Sequence, residues 1–471
     1  MNPLEISSAQ FRRLAEHVTR LAAEYLESLD SRSIHPSASG KETEALFHTE
    51  LPEKGLGENA LAGLHDVIRN SRAQNGCFFG YVLGSGEPVG ATADLLASVL
   101  NQNVTAWRSG PAAVAIEKTV VGWLATAIGC PHFTGSLAGG GSSANLMGLA
   151  MAREAKRPAN ESGVGTGGSV YASEEVHMSI PKSVALLGIG RENLRLISTD
   201  KSFQMIPQEL DLAIRRDKEV GKIPIAVVAT AGTVNTGAID PLLEVAEIAG
   251  RYGAWLHVDG AYGALAAMAV QDKFKGLDLA DSLSLDPHKW LYQPLDVGCL
   301  LYRDAGAAHK AFAHTGEYAR ALTTDPMEGF AFFEESVELS RRFRALKLWL
   351  SLRYHGFGAF RGAIRQDLAH AQRLATQIAA QPELELMAPV DLSAVCFRYR
   401  GTISAPDEEL NQINPVILKR IVERGRVYLS NAMLRKRFCL RACVVNHRTT
   451  DADIDSVVSE VLAAAKEVVQ Q

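Results

Sequence analysis

The sequence predicts an α/β protein: a mostly parallel sheet with helices on both faces, joined to a small C-terminal α+β domain. Three observations carry this. Short apolar runs at 170–172, 225–229 and 254–258 each end in polar or glycine residues, as strands buried on both faces do. Helical periodicity, as over 241–252, lies between such runs, and that alternation builds crossover units on a parallel sheet. Beyond about residue 360 the pattern changes to a long helix, strand-like stretches near 394–399, 427–430 and 438–445, and a final helix containing Asp and Glu.

In chain order, the first element is a helix. Phe11, Leu14, Val18, Leu21, Tyr25 and Leu29 recur at three- and four-residue spacing, with Arg12, Arg13, Glu16 and Arg20 largely off that stripe. One apolar face must therefore pack, on its own domain or on a neighbouring subunit. Residues 31–60 read as a polar connection, and a Gly-rich stretch runs from Phe78 to Gly86. From about 90 to 155 the pattern reads as helical, interrupted by Gly139-Gly140-Gly141-Ser142-Ser143. Residues 341–356 read as a basic-ended helix, with Arg341, Arg342, Arg344 and Lys347 forming a solvated or salt-bridged face. A polyanion site is the alternative there. No internal repeat or low-complexity tract is present.

Composition excludes several classes. A chain of 471 residues with 47% hydrophobic and 21% charged residues is neither disordered nor fibrous. The 48 Lys and Arg against 53 Asp and Glu leave a net charge of −5, so nothing favours nucleic acid or an anionic membrane as partner. No run of about 18 apolar residues predicts a membrane span. The N-terminal residues lack a signal-peptide layout, so a cytoplasmic location is expected. The six cysteines form no CxxC pair, which fits free thiols in a reducing compartment. Cys439, Cys443 and His447 are spaced by four; they read as a buried strand carrying small apolar thiols, or as a metal site.

No Walker A, HExxH or GxSxG pattern occurs. The most informative segment is Asp281-Ser-Leu-Ser-Leu-Asp-Pro-His-Lys-Trp290. Lys289 follows a strand-like run and is flanked by Leu285, Trp290 and Leu291. Desolvation by such neighbours frees an amine lone pair, as a Schiff-base lysine requires. Thirty residues upstream, Trp255-Leu-His-Val-Asp259-Gly-Ala261 puts one carboxylate at the end of an apolar run, where open α/β sheets bind ligands. Asp259 there can cap the next helix, or it can hold a protonated pyridine nitrogen.

With these motifs together, the chain resembles the group II pyridoxal-phosphate-dependent amino-acid decarboxylases, over about residues 11 to 465. The resemblance implies pyridoxal 5'-phosphate (PLP) as cofactor, the aspartate-aminotransferase-like type I fold, and a homodimer with shared active sites. It implies three regions: a helical segment 1–89 packing on the dimer partner, a large PLP-binding domain 90–359 and a small domain 360–471. Lys289 matches the lysine that carries the cofactor, Asp259 the carboxylate on the pyridine nitrogen, and Ala261 the small residue beneath the ring. His177, in EEVHMSIPK, matches the stacking histidine. Gly141 and Ser142 match the phosphate-binding turn, which is physically apt because amides at a helix N-terminus bind dianions. Thr230 matches a threonine near the cofactor hydroxyl, and His288 a neighbour of the phosphate.

Two further matches bear on the reaction. Tyr318 corresponds to a loop tyrosine that returns a proton to the substrate carbon. Arg441 corresponds to an arginine that contacts the substrate carboxylate. Many relatives have Asn at the position of Asp286, and a carboxylate is a poor partner for phosphate, so Asp286 is expected to point elsewhere. Around 78–86 and 103–107, Thr, Asn and Gly stand where aromatic-substrate members are bulkier, which implies a smaller or more polar pocket. The resulting expectation is decarboxylation of an L-amino acid to the amine and CO2. The alternatives are an aldehyde synthase, another carbon–carbon lyase or aminotransferase on the same fold, and a PLP carrier without turnover.

Overall fold

The structure is a computed structural model that describes residues 2, 4–314, 324–401 and 405–470. Seven strands form the large sheet: β1 Thr134–Ala138, β2 Gly168–Ser173, β3 Leu194–Ile197, β4 Ile223–Thr230, β5 Trp255–Asp259, β6 Ser282–Leu285 and β7 Gly298–Tyr302. Their order is β1-β7-β6-β5-β4-β2-β3. Only β7 runs against its neighbours, β1 and β6; the pairs from β6 out to β3 are parallel. The α/β prediction holds, and the physical reason is visible along β4. Val227 and Ala229 enter the core on one face while Ala226 and Val228 enter the core on the other, so a strand covered on both sides must be apolar throughout.

The small sheet is antiparallel, with β8 Leu384–Leu386, β9 Ala394–Tyr399, β10 Ser430–Leu434 and β11 Arg437–Cys443 in the order β10-β11-β9-β8. The helix Ala345–Ala379 links the two units and bends at Gly356, whose φ of 76° only glycine adopts readily. Its residues Phe360 and Ile364 belong to the large core, whereas Ala371, Leu374 and Ile378 belong to the small one.

Three sequence expectations are corrected. The stretch 90–155 is not helical apart from its glycines: between the helices Pro111–Ala127 and Gly141–Lys156 lies β1, whose Thr-Gly-Ser-Leu-Ala carries too little apolar signal to announce itself. The strand placed near 427–430 lies at Ser430–Leu434, which alternates in burial instead of forming an apolar run. Of the two readings of the basic run, the salt-bridged one holds and the solvated one is corrected. Arg341, Arg344 and Lys347 are buried, and their charges meet Glu117 at 2.5 Å, Glu338 at 2.7 Å and Asp94 at 2.8 Å.

The first ninety residues behave in two ways. In the helix Ser8–Glu27, closed by a Ser7–Gln10 capping box, Leu21 is buried but Phe11, Val18 and Leu26 remain exposed. Residues 75–86, by contrast, are stitched to the far end of the chain. The Phe79 side chain sits in the small-domain core, and its amide and carbonyl bond to Tyr428 O (2.9 Å) and Cys443 N (2.9 Å). Asn446 Nδ2 donates to Asn75 O, and Arg448 donates to Ser85 O and Gly86 O. Among the described residues, no helix is long and apolar enough to cross a membrane.

Candidate active site

The C-terminal ends of the parallel strands lie along one edge of the large sheet, and the sequence-predicted residues gather there. Asp259 ends β5 and Thr230 ends β4, and the two are register partners. Asp286 follows β6 and opens the short helix Pro287–Trp290 that carries Lys289. The loop after β2 leads to His177. From the opposite side, Gly140 and Gly141 open the helix Gly141–Lys156 after β1.

Strand alternation decides which side chains meet. Trp255, His257 and Asp259 share one face of β5, and Ser282 and Ser284 stand beside His257 and Asp259 on β6. The helix Gly141–Lys156 packs on this face, and it can approach because Gly148 has no side chain: a Cβ there would fall 2.5 Å from His257 Cε1. Asp259 is buried and accepts from Asn145 Nδ2 at 2.9 Å, Ala261 N at 3.2 Å and Ser284 Oγ at 3.2 Å. Asn145 also reaches Ser179 Oγ at 2.9 Å and His257 Nε2 at 2.9 Å. Ser179 Oγ lies 2.8 Å from His177 Nδ1. Burial lowers the His177 pKa from its ordinary value; the Asp259 charge opposes that shift and the Lys289 charge adds to it.

Lys289 does not stand among apolar groups alone. Its Nζ lies 3.0 Å from Asp286 Oδ2, so the carboxylate expected to point away from the phosphate is turned onto the lysine amine. The backbone at Asp286 is extended where the helix starts, and that turn brings the side chain at i onto the amine at i+3. His288 Nδ1 bonds the Val297 carbonyl at 2.6 Å, while its Nε2 faces Asp286 Oδ2 at 3.6 Å. Burial lowers the His288 pKa as well. The Gly80–Glu87 stretch covers this helix: Gly84 N bonds His288 O at 3.0 Å, and a Cβ on Gly84 would sit 2.5 Å from Lys289 O. Arg441, on β11, is buried; its Nε donates to Asn235 O at 3.1 Å and its Nη1 to Ser430 Oγ at 3.0 Å. Tyr318 lies outside the described residues.

Sequence reasoning missed Asn145, Ser179, His257 and Ser284. A signal existed for His257, which precedes Asp259 by two residues and so shares its face. For Ser284 the contact depends on strand register, which local sequence does not set. Cys439 and Cys443 lie in separate apolar clusters, and among the described residues no group of three His, Cys, Asp or Glu is placed to hold a metal.

These residues fit PLP. The buried Thr230 Oγ1, Asp286 Oδ1 and Arg441 Nη2 have no protein partner, and a buried polar group without one calls for a ligand or solvent. Gly140 adopts a φ of 148°, and a Cβ on Gly141 would fall 2.6 Å from Ala261 Cβ. Bare backbone at a helix N-terminus is thus held open against Ala261 and Asp286, as a phosphate cradle needs. Ser142, next in the helix, is exposed and free to contribute its hydroxyl.

Fold and site together define a PLP-dependent enzyme of fold type I. Residues 43–400 match the family profile described as "Pyridoxal-dependent decarboxylase conserved domain". The chain belongs to the pyridoxal-dependent decarboxylase family and is a PLP-dependent carboxy-lyase. It is 35% identical over 474 residues to an aromatic-L-amino-acid decarboxylase of Bacillus atrophaeus, covering 99% of this chain and 97% of that one. It is 29% identical over 490 residues to a 4-hydroxyphenylacetaldehyde synthase of Rhodiola rosea, covering 99% and 97%. The crystal structure of Oryza sativa TDC with PLP and tryptamine superposes with a TM-score of 0.92 at 27% identity, covering 99% of each chain.

Proposed function

We propose that the chain converts an L-amino acid to the corresponding amine and CO2, with Lys289 as the covalent anchor for PLP. The observation that carries this reading is the meeting of Lys289, Asp259 and His177 at one sheet edge, with Asp259 and His177 linked through Asn145 and Ser179 and Lys289 paired to Asp286. Bound there, PLP supplies an electron sink for the pair left when the substrate carboxylate departs. Asp259 holds a proton at the ring nitrogen. His177 stacks on the ring, and Ala261 leaves room beneath it. Gly141 and Ser142 bind the phosphate, with His288 beside them. Thr230 Oγ1 donates to the ring hydroxyl oxygen. Arg441 Nη2 binds the substrate carboxylate, and Tyr318 returns a proton to the α-carbon.

Two properties accompany the reading. The enzyme works as a homodimer. Support comes from the exposed apolar residues Phe11, Val18 and Leu26, and Leu95, Leu96, Val99 and Leu100, a second copy being the occupant that the resemblance implies. A mass near twice 50.8 kDa by light scattering is expected; a monomer would overturn it. Location in the cytoplasm is supported by six free cysteines.

Product analysis tests the reaction. PLP-loaded protein is given a panel of aromatic, acidic, aliphatic and sulfur L-amino acids, and products are read by mass spectrometry. Amine formed one-to-one with CO2 is the expected result. Aldehyde with ammonia and peroxide would overturn it in favour of an aldehyde synthase, a reading that the Rhodiola rosea relative supports. Tyr318→Phe should divert product from amine towards aldehyde; unchanged amine output would remove Tyr318 from the mechanism.

A further inference from the structure

We infer that Asn145 and His257 are positioning residues: through a hydrogen-bond chain of fixed direction they hold Asp259 as an acceptor and fix His177 with Nδ1 unprotonated and its proton at Nε2. The inference rests on the roles proposed for Asp259 and His177.

The direction follows from counting protons. Asn145 is fully surrounded, and its Nδ2 faces both Asp259 Oδ2 (2.9 Å) and Ser179 Oγ (2.9 Å). A carboxylate only accepts, so the amide cannot be turned the other way. Both amide protons are then committed, and Asn145 Oδ1 must accept from His257 Nε2 at 2.9 Å. His257 is completely buried and lies 2.8 Å from Ser282 Oγ through Nδ1. Ser282 Oγ accepts from Trp255 Nε1 at 2.8 Å, and with the one proton of the neutral ring on Nε2 it donates its own to His257 Nδ1. Burial holds the His257 pKa at about 4, which keeps the ring neutral and Nδ1 an acceptor at neutral pH.

The other branch is equally constrained. Ser179 Oγ accepts from Asn145 and lies 2.8 Å from His177 Nδ1; because the serine amide can only donate to that nitrogen, Nδ1 is an acceptor and takes the hydroxyl proton too. The Ser179 amide reaches the same nitrogen at 3.2 Å. Two donors on Nδ1 place the proton of a neutral ring on Nε2. The run is therefore Trp255 to Ser282 to His257 to Asn145, which branches to Asp259 and, through Ser179, to His177. One amide thus sets two cofactor-facing groups at once.

The test reads tautomers directly. Nitrogen-15 NMR of histidine-labelled holoenzyme at pH 7.5, with His177 and His257 assigned from their Gln variants, should show both rings neutral and protonated at Nε2. Ser179→Ala should let the Nδ1–H form of His177 appear and leave His257 unchanged. In apoprotein reconstitution, His257→Leu should weaken PLP binding roughly two- to tenfold, the range of one hydrogen bond between neutral groups. His257→Gln keeps an N–H for Asn145 and should restore most of that loss. An Nδ1–H or doubly protonated His177 in the wild type would overturn the inference, as would equal PLP affinity in the Leu and Gln variants. If His257→Leu does not fold, the wild-type and Ser179→Ala spectra decide. Wild-type protein that takes up no PLP would refute the functional reading instead, and the tautomers of the unloaded protein would still decide the chain.

Discussion

Replacing Glu117 by Ala should be among the costliest changes outside the PLP site. Glu117 and Arg341 are each 1% exposed in their side chains and meet at 2.5 Å. Arg341 also donates to Val104 O and Leu137 O, both at 2.8 Å, and its guanidinium covers the Phe332 ring at 4.3 Å. Glu117 Oε1 accepts from Leu137 N at 2.9 Å, so both backbone groups of one β1 residue depend on the pair. Removing one partner of a buried pair costs about 3–5 kcal/mol, because the other charge stays buried. Losing the acceptor for Leu137 N–H adds about 1–3 kcal/mol, partly the same cost. About 4 kcal/mol is therefore expected, roughly a thousandfold in the folding equilibrium. Glu117→Gln keeps an oxygen for Leu137 and should cost about half as much. Urea unfolding of the apoprotein by circular dichroism measures both, and Glu117→Ala/Arg341→Met closes the double-mutant cycle. Glu117→Ala losing under about 1 kcal/mol, or a cycle with no coupling, would refute the reasoning.

Three other substitutions probe the site and its support. Thr230→Val removes a buried hydroxyl that has no protein partner; apoprotein stability should hold or rise slightly while PLP affinity falls up to about tenfold, and tighter PLP binding would contradict the assignment. Asp286→Asn removes a negative charge 3.0 Å from Lys289 Nζ and beside the phosphate turn. Fluorescence titration should show PLP binding about tenfold tighter, and weaker binding would count against the placement of the phosphate. For pH, His257 is held near 4 by burial, below the 6.5 of an unfolded histidine. Its stabilising contribution is complete above pH 6.5 and is lost as pH falls towards 4, where the unfolded chain binds a proton that the folded one refuses. The span of about 2.5 pH units corresponds to about 3 kcal/mol. Thermal midpoints across that range should slope less in His257→Gln, and an equal slope would remove His257 as the cause.

Much of the candidate site was legible because its residues sit where apolar runs stop. Asp259 and Thr230 end strands, and Lys289 follows one, so the edge they share could be read from the spacing of hydrophobic segments. The network behind them could not. Ser282 and Ser284 reach His257 and Asp259 only through the β5–β6 register, and Asn145 arrives on a helix whose closeness depends on Gly148. The partner of Asp286 went unnamed for a different reason. The carboxylate's expected repulsion from phosphate was sound chemistry, but the turn at the helix start offers it Lys289 three residues on. The basic run at 341–347 was read as a face because its partners, Asp94 and Glu117, come from helices more than 200 residues earlier. β1 was invisible because its burial is imposed by β7 and by the helix Pro111–Ala127 rather than by its own hydrophobicity.

The stitching of residues 75–86 to 428–448 has a consequence for how this protein comes into being. Asn75 and Asn446 are 371 residues apart. At about 5–20 residues per second, a ribosome needs roughly 20–75 s to travel from one to the other. For most of that interval Phe79 has been made but the strands that cover it have not. The small-domain core therefore cannot close during synthesis, however early the helices form, and its completion waits for almost the whole message to be read. Such distant pairing also raises the contact order and slows the final step. A shortened chain that stops before β11 would leave the Phe79 ring without the strand that completes its core, and would present it to the cell's quality control.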